Sequence, residues 1–223
     1  YLHNHVRMWF ASIWIFTLNL PWQLGASFFL KHLFDGDAAS NTLGWRWVAG
    51  VQTKGKHYLA KSWNIEKFTK NKYSGVKLNE TAKPIVEYNE YPVEQKKFNT
   101  IEINQNLSLL IFDNSLSFEI SDFVDKKFNK IYLVKSNNES RRIGINEKVD
   151  RFKLNLIEDQ FQILKSNNIT TEIINIDELL LSKEKFYAFY PNVGENMDFI
   201  KIKNIRNINY LYREIDKYSW KFC

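Results

Sequence analysis

Apolar residues recur at helical spacing through residues 1–20 and stop at Pro21, which cannot continue a helix but suits the first position of the next one. The same spacing resumes through WQLGASFFLKHLF. It predicts a third helix over AASNTLGWRWVAG, with glycines at its middle and end, and a short fourth over NIEKFTKNK, so residues 1–72 read as all-helical. From 73 to 105 no period is sustained. Lys, Asn, Glu and Tyr dominate there, with Pro84 and Pro92, which predicts a linker or an extended wrapping arm. Beyond it the period changes from helical to strand-like. LSLLIFD (107–113), KIYLVKS (130–136), TEIINI (171–176) and KFYAFYP (185–191) read as strands, and KVDRFKLNLIEDQFQILKSN as a helix between the second and third. Strands alternating with helices predict a small Rossmann-like parallel α/β domain over 106–223, incomplete at its C-terminus.

Ligands in such sheets bind at the carboxyl ends of the strands, which marks Asp113, Asn114 and the PNVG turn, Pro191 to Gly194. Neither GxGxxG nor GxxxxGK[ST] occurs, so the chain carries no phosphate-binding fingerprint and a structural or docking role suits this domain better. Internal repeats of solenoid length are absent.

Composition narrows the class. With 223 residues, 44% of them apolar, the chain can bury a core. The single cysteine, Cys223, excludes an internal disulfide and makes a cytoplasmic setting the expectation. WFASIWIFTLNLPW contains Asn19 and breaks at Pro21, short of the ~20 apolar residues that span a bilayer, so no membrane association is expected. The chain opens on Tyr1 with no signal-like segment and reads as a fragment. His3, His5, His32 and His57 show no metal-binding spacing. The net charge of +6 is not evenly spread: residues 1–72 hold nine Lys and Arg against three Asp and Glu, and the remainder holds 22 of each. Six of the seven tryptophans also fall in that first part, and a basic, aromatic-rich domain suits a phosphate backbone and its bases.

The stretch DGDAASNTLGWRW, Asp35 to Trp47, concentrates the candidate chemistry. Asn41 and Trp45 share a helix face, while Trp47 points nearly the opposite way. Ala38, Ala39, Ser40 and Gly44 let the backbone approach a flat ligand, and Asp35 and Asp37 can cap the helix or accept hydrogen bonds from one. Spacing alone also fits a capped helix with core tryptophans.

Read together, YLHNHVRM (1–8), Pro21–Trp22, WQLGASFFLKHLFDGDAASN (22–41) and WRWVAG (45–50) resemble the FAD-binding domain of the cryptochrome/DNA photolyase family, in order and in register. The resemblance implies FAD as cofactor and damaged DNA as partner, with the protein a monomer; whether an antenna chromophore is bound stays open. It places Asn4, Arg7, Asp35, Asp37 and Asn41 at the flavin, with Arg7 and Asp35 in a mostly buried ion pair. It makes Trp45 and Trp22 the proximal and middle members of an electron relay whose third tryptophan lies upstream. Asn4, His5, Met8 and Trp47 would line the pocket for a flipped lesion. Asparagine at position 41 is the photolyase choice, and an amide delivers a proton to the flavin less readily than a carboxylic acid does.

Two departures point to a divergent bacterial branch. His5 replaces an arginine usual in the cyclobutane-dimer enzymes, a change shared with the six-four photoproduct branch. SWNIEKFT (62–69) keeps only Asn64 of the usual FNP motif. The expected activity is blue-light-driven repair by a deoxyribodipyrimidine photolyase-like lyase. A cryptochrome-like photoreceptor with the same flavin and tryptophans is the alternative, and a flavin-free scaffold a second one.

Overall fold

A computed structural model describes residues 2–53, 55–87, 98, 102–119, 121–137, 141 and 144–219. Cys223, Pro92 and most of the second half of the 73–105 segment lie outside the described residues. The chain divides into two compact units, residues 1–91 and 92–223.

In the first unit, α1 (Asn4–Ser12) starts at His3, whose Nδ1 accepts the His5 amide at 3.2 Å. The predicted helix over 1–20 ends earlier than its apolar spacing suggests. Ile13–Thr17 widen into a π turn, closed by the Leu18 amide on the Ile13 carbonyl at 2.9 Å, and Asn19 turns left-handed at φ 53°. Pro21 then precedes α2 (Trp22–His32), and Asp37 caps α3 (Ala38–Ala49) by accepting the Ser40 amide at 2.7 Å. α3 stops at Gly50, which sits at φ 88° where a Cβ would meet Pro84 at 2.5 Å. α4 (Ser62–Phe68) follows.

Residues 76–87 are extended and lie along these helices. The Glu80 carboxylate accepts from the Ser62 amide and hydroxyl, both at 2.7 Å; Asn79 donates to the Phe16 carbonyl, and the Ile85 amide donates to the Ala49 carbonyl. Trp22, Phe29, Trp45 and Val48 form the core of the unit. Its tightest contact is at Gly25, where a Cβ would come within 2.3 Å of the Trp45 ring.

The second unit is a five-stranded, fully parallel sheet in the order β3-β2-β1-β4-β5, built from β1 (Ser108–Phe112), β2 (Ile131–Lys135), β3 (Thr171–Asn175), β4 (Phe186–Phe189) and β5 (Ile208–Leu211). This is the doubly wound order, reversing direction between β1 and β4. Alternate residues of the buried β1 divide between two cores. Leu109 and Ile111 pack with Ile157 and Leu164 of α5 (Glu147–Ser166), and Leu110 and Phe112 with Phe199 and Ile200 of α6 (Glu195–Ile202). The pattern predicted four strands. The fifth, INYL, escaped it because a four-residue strand with an asparagine second is too short to show a period. α7 (Glu214–Ser219) ends the described chain. Among the described residues no helix is long and apolar enough to cross a membrane.

The carboxyl end of the central strands carries a buried polar network. Asp113 accepts from Ser136 at 2.6 Å, from Asn196 at 2.8 Å and from Lys153 at 3.1 Å, and Lys153 and Arg141 both reach Glu195, at 2.8 and 2.6 Å. Burial alone would raise the Glu195 carboxyl, but the Lys153 ammonium and the Arg141 guanidinium outweigh it and hold it down to about 2 from 4.5.

Two outcomes are expected. Gly25→Ala drives a methyl into Trp45 and costs about 1–3 kcal/mol of stability; an unchanged urea midpoint contradicts the packing described. The folded-state value of Glu195 lies below its ordinary one, so its contribution is complete above about pH 4.5 and is lost as the pH falls toward 2. Glu195→Gln removes the carboxylate that Lys153 and Arg141 share, costing about 3 kcal/mol at neutral pH. It should also flatten the acid limb of the stability profile; urea curves at pH 7 and pH 3 that match the parent's would contradict this.

Candidate active site

A cavity of about 420 Å³ opens in the helical unit between α1, the end of α2 and α3. Asn4, Arg7 and Met8 reach it from successive turns of α1, Asp35 and Asp37 from the loop after α2, and Asn41, Trp45 and Trp47 from α3. Eight of the ten residues singled out from sequence thus share one concavity. Its remaining wall is largely apolar, with Phe29, Leu33 and Val48.

Arg7 is held by two partners. Its Nε donates to the Leu2 carbonyl at 2.7 Å, and one Nη donates to both Asp35 oxygens, at 3.0 and 2.9 Å. The ion pair was expected to be mostly buried. Instead the Asp35 side chain is 52% exposed and that of Arg7 21%, because Asp35 stands on a loop at the cavity mouth. Asp37 lines the cavity while spending one oxygen on the α3 cap. Asn41 donates its amide to the Ala26 carbonyl at 2.8 Å, which fixes the side chain against α2.

Trp45 is 2% exposed, in edge contact with Phe29 at 5.0 Å and with Trp14 at 6.3 Å. Its indole N–H is buried without a hydrogen-bond partner among the described residues, a donor whose desolvation costs about 1–3 kcal/mol unless something satisfies it. Trp47, 42% exposed, stacks on Tyr58 at 6.1 Å.

Two of the ten lie elsewhere. His5 packs on Trp9 and Phe68, at 5.1 and 6.0 Å, away from the cavity lining. Trp22 is buried behind α3, where its N–H donates to Glu87 Oε1 at 2.8 Å. Sequence reasoning missed Glu87, Trp14 and Gly25. Trp14 follows Phe10 at helical spacing and could have been marked by that; Glu87 and Gly25 carry no local pattern.

The cavity suits a flat, partly polar molecule. Its volume falls in the range of small-molecule sites, roughly 300–1,000 Å³. Its walls are apolar, and its rim offers the cationic donor Arg7, two carboxylates and the Asn41 amide. Gly44 adds bare backbone, with no heavy atom within 4 Å of where its Cβ would stand. This donor set and shape fit an isoalloxazine ring system, as part of FAD. Among the described residues no group of His, Cys, Asp or Glu could hold a metal ion.

The crevice expected at Asp113, Asn114 and the PNVG turn is filled by the protein itself. Asp113 sits in the buried network, and Asn114 donates to the Pro191 carbonyl at 2.8 Å. A shallower cleft lies beyond it, lined by Tyr190, Tyr210 and Tyr212, where burial, with the neighbouring phenols, pushes Tyr210 up to about 12.

A helical unit enclosing an apolar cavity with a charged and polar rim is the class of site this geometry defines. Residues 1–92 match the family model described as the FAD binding domain of DNA photolyase, so the N-terminal part of the chain is similar to the photolyase/cryptochrome family. The deoxyribodipyrimidine photo-lyase of Streptomyces griseus is 49% identical over 53 residues, 24% of this chain and 12% of that protein. That of Salmonella typhimurium is 40% identical over 59 residues, 26% and 12%. That of Agrobacterium fabrum is 47% identical over 49 residues, 22% and 10%. The chain therefore spans about an eighth of the length of these curated relatives. No solved structure matches it.

Proposed function

We propose that the helical unit is the part of a photolyase that seats FAD and receives a flipped pyrimidine lesion, so that the protein repairs DNA under blue light. The carrying observation is the convergence of Asn4, Arg7, Met8, Asp35, Asp37, Asn41, Trp45 and Trp47 on one cavity. When bound, FAD supplies light absorption and one-electron transfer to and from the damaged pair. The chain's own residues do the rest. Arg7, anchored by Leu2 and Asp35, presents positive charge to an electron-rich ring, and Asn41 presents a pinned amide that is a poor proton source. Trp45 is a buried, easily oxidised indole that is neutral at rest, and Trp22 refills it. Trp47 and Met8 make the platform for an extruded base, with the Asn4 amide beside it to read polar edges. The basic excess of residues 1–72 steers DNA to this face. His5, against Trp9 and Phe68, shapes α1 rather than touching a lesion. The α/β unit, with its central crevice filled by ion pairs, serves a structural or docking role.

The full-length protein is expected to carry FAD and to repair a pyrimidine dimer in an oligonucleotide under blue light but not in the dark. Trp45→Phe should slow photoreduction, and Trp47→Ala should weaken damaged-DNA binding roughly tenfold to a hundredfold through lost stacking. Photoreduction without repair of either a cyclobutane dimer or a six-four photoproduct would favour a cryptochrome-like receptor. Absence of flavin would favour a scaffold.

A further inference from the structure

The tryptophans packed in the helical unit differ in what their indole N–H groups meet. Trp9 donates to the Asn64 amide oxygen at 3.1 Å and Trp14 to the Pro21 carbonyl at 2.9 Å, both neutral acceptors with no use for a second proton. The Trp45 N–H has no hydrogen-bond partner among the described residues. Trp22 alone among these donates to a carboxylate, Glu87 Oε1, at 2.8 Å. Glu87 comes from the extended 76–87 arm and is itself held: its other oxygen accepts from Arg46 Nη1 at 3.0 Å, and the Arg46 guanidinium lies over the Trp22 ring, 5.7 Å from its centre. The three groups are shut away together, with Trp22 8% exposed and the Arg46 and Glu87 side chains 14% and 19%.

An indole that has lost an electron is a far stronger acid than a neutral one. Its fate then depends on whether a base is within hydrogen-bond reach, roughly 2.6–3.2 Å. We propose that Glu87 is the proton acceptor of Trp22, so that oxidation of this ring is coupled to proton transfer along the Nε1–Oε1 hydrogen bond. The inference rests on the proposed flavin reading, which supplies the oxidant: photoexcited flavin acting through Trp45. Trp22 gives one electron to oxidised Trp45. Its N–H bond breaks, an O–H bond forms on Glu87, and the products are a neutral indolyl radical and a neutral carboxylic acid. The cluster gains one positive charge, because Glu87 no longer offsets the Arg46 guanidinium. Return of one electron from an external reductant and of the proton from Glu87 restores the start.

The pairing gives the relay a direction. A hole on Trp45, whose N–H meets no acceptor among the described residues, keeps its proton and stays easily reversed. Once moved to Trp22 it is trapped by proton loss, and the electron delivered toward the cavity survives longer. Glu87 touches neither cofactor nor lesion, and acts through Trp22.

The test is flash photolysis of the full-length, flavin-loaded protein in H2O and D2O, reading the protonation state of the tryptophan radical from its absorption band. The parent should show a deprotonated radical that forms more slowly in D2O. Glu87→Gln should hold the radical in its protonated form, slow proton loss about 100-fold and shorten the charge-separated state; Glu87→Asp should restore part of the effect. The isotope effect is read on the parent, so it stands even if a variant folds poorly. A radical that keeps its proton in the parent, or loses it equally fast in Glu87→Gln, overturns the proposal while leaving the flavin reading intact. Absence of bound flavin or of any tryptophan radical overturns both.

Discussion

The helical unit hangs on the contact between Gly25 and Trp45. A methyl at position 25 would stand within 2.3 Å of the indole, so only glycine lets α2 and α3 close to this distance. That approach buries Trp45 to 2% exposure and brings the Ala26 carbonyl within hydrogen-bond reach of Asn41. It also sets α3 against α1, so that Arg7 and Met8 face Asn41 and Trp47 across one hollow. The cavity is what remains when large rings are stacked beside small residues: Phe29 and Trp45 form its floor, and Gly44 leaves its wall bare.

The cavity mouth and the strand ends treat charge differently. In the helical unit the Arg7–Asp35 pair stands half in solvent, where an ion pair contributes little to stability and its geometry matters more. In the α/β unit Asp113, Lys153, Glu195 and Arg141 are buried together, and each would be costly alone. An open polar mouth is available to a ligand; at the strand ends both Asp113 oxygens and one Glu195 oxygen are taken by the fold's own donors.

Much of the helical unit was legible because its signals are local. Pro21, the Asp37 cap, the glycine at position 50 and the apolar spacing each act within a turn or two, and the DGDAASN and WRW stretches lie on one continuous loop and helix. What could not be read depends on partners distant in sequence. Glu87 meets Trp22 across 65 residues from a segment with no period, and the exposure of Asp35 is set by where its loop stands. The π turn at Ile13–Thr17 keeps apolar spacing intact and so leaves no trace in the pattern. In the α/β unit the parallel pairing follows from strand alternation, but the filling of the crevice by Lys153 and Arg141 needed the fold to bring them there.

The central claim, that this hollow is a flavin seat, is tested most directly by the flavin content of the purified full-length protein beside its Gly44→Leu variant. Open space surrounds the site of that Cβ, so leucine there should leave the helices packed while intruding into the cavity. The account predicts FAD near one per chain in the parent and its loss from a variant whose unfolding midpoint is unchanged. Equal flavin content in the two, or none in the parent, would contradict it.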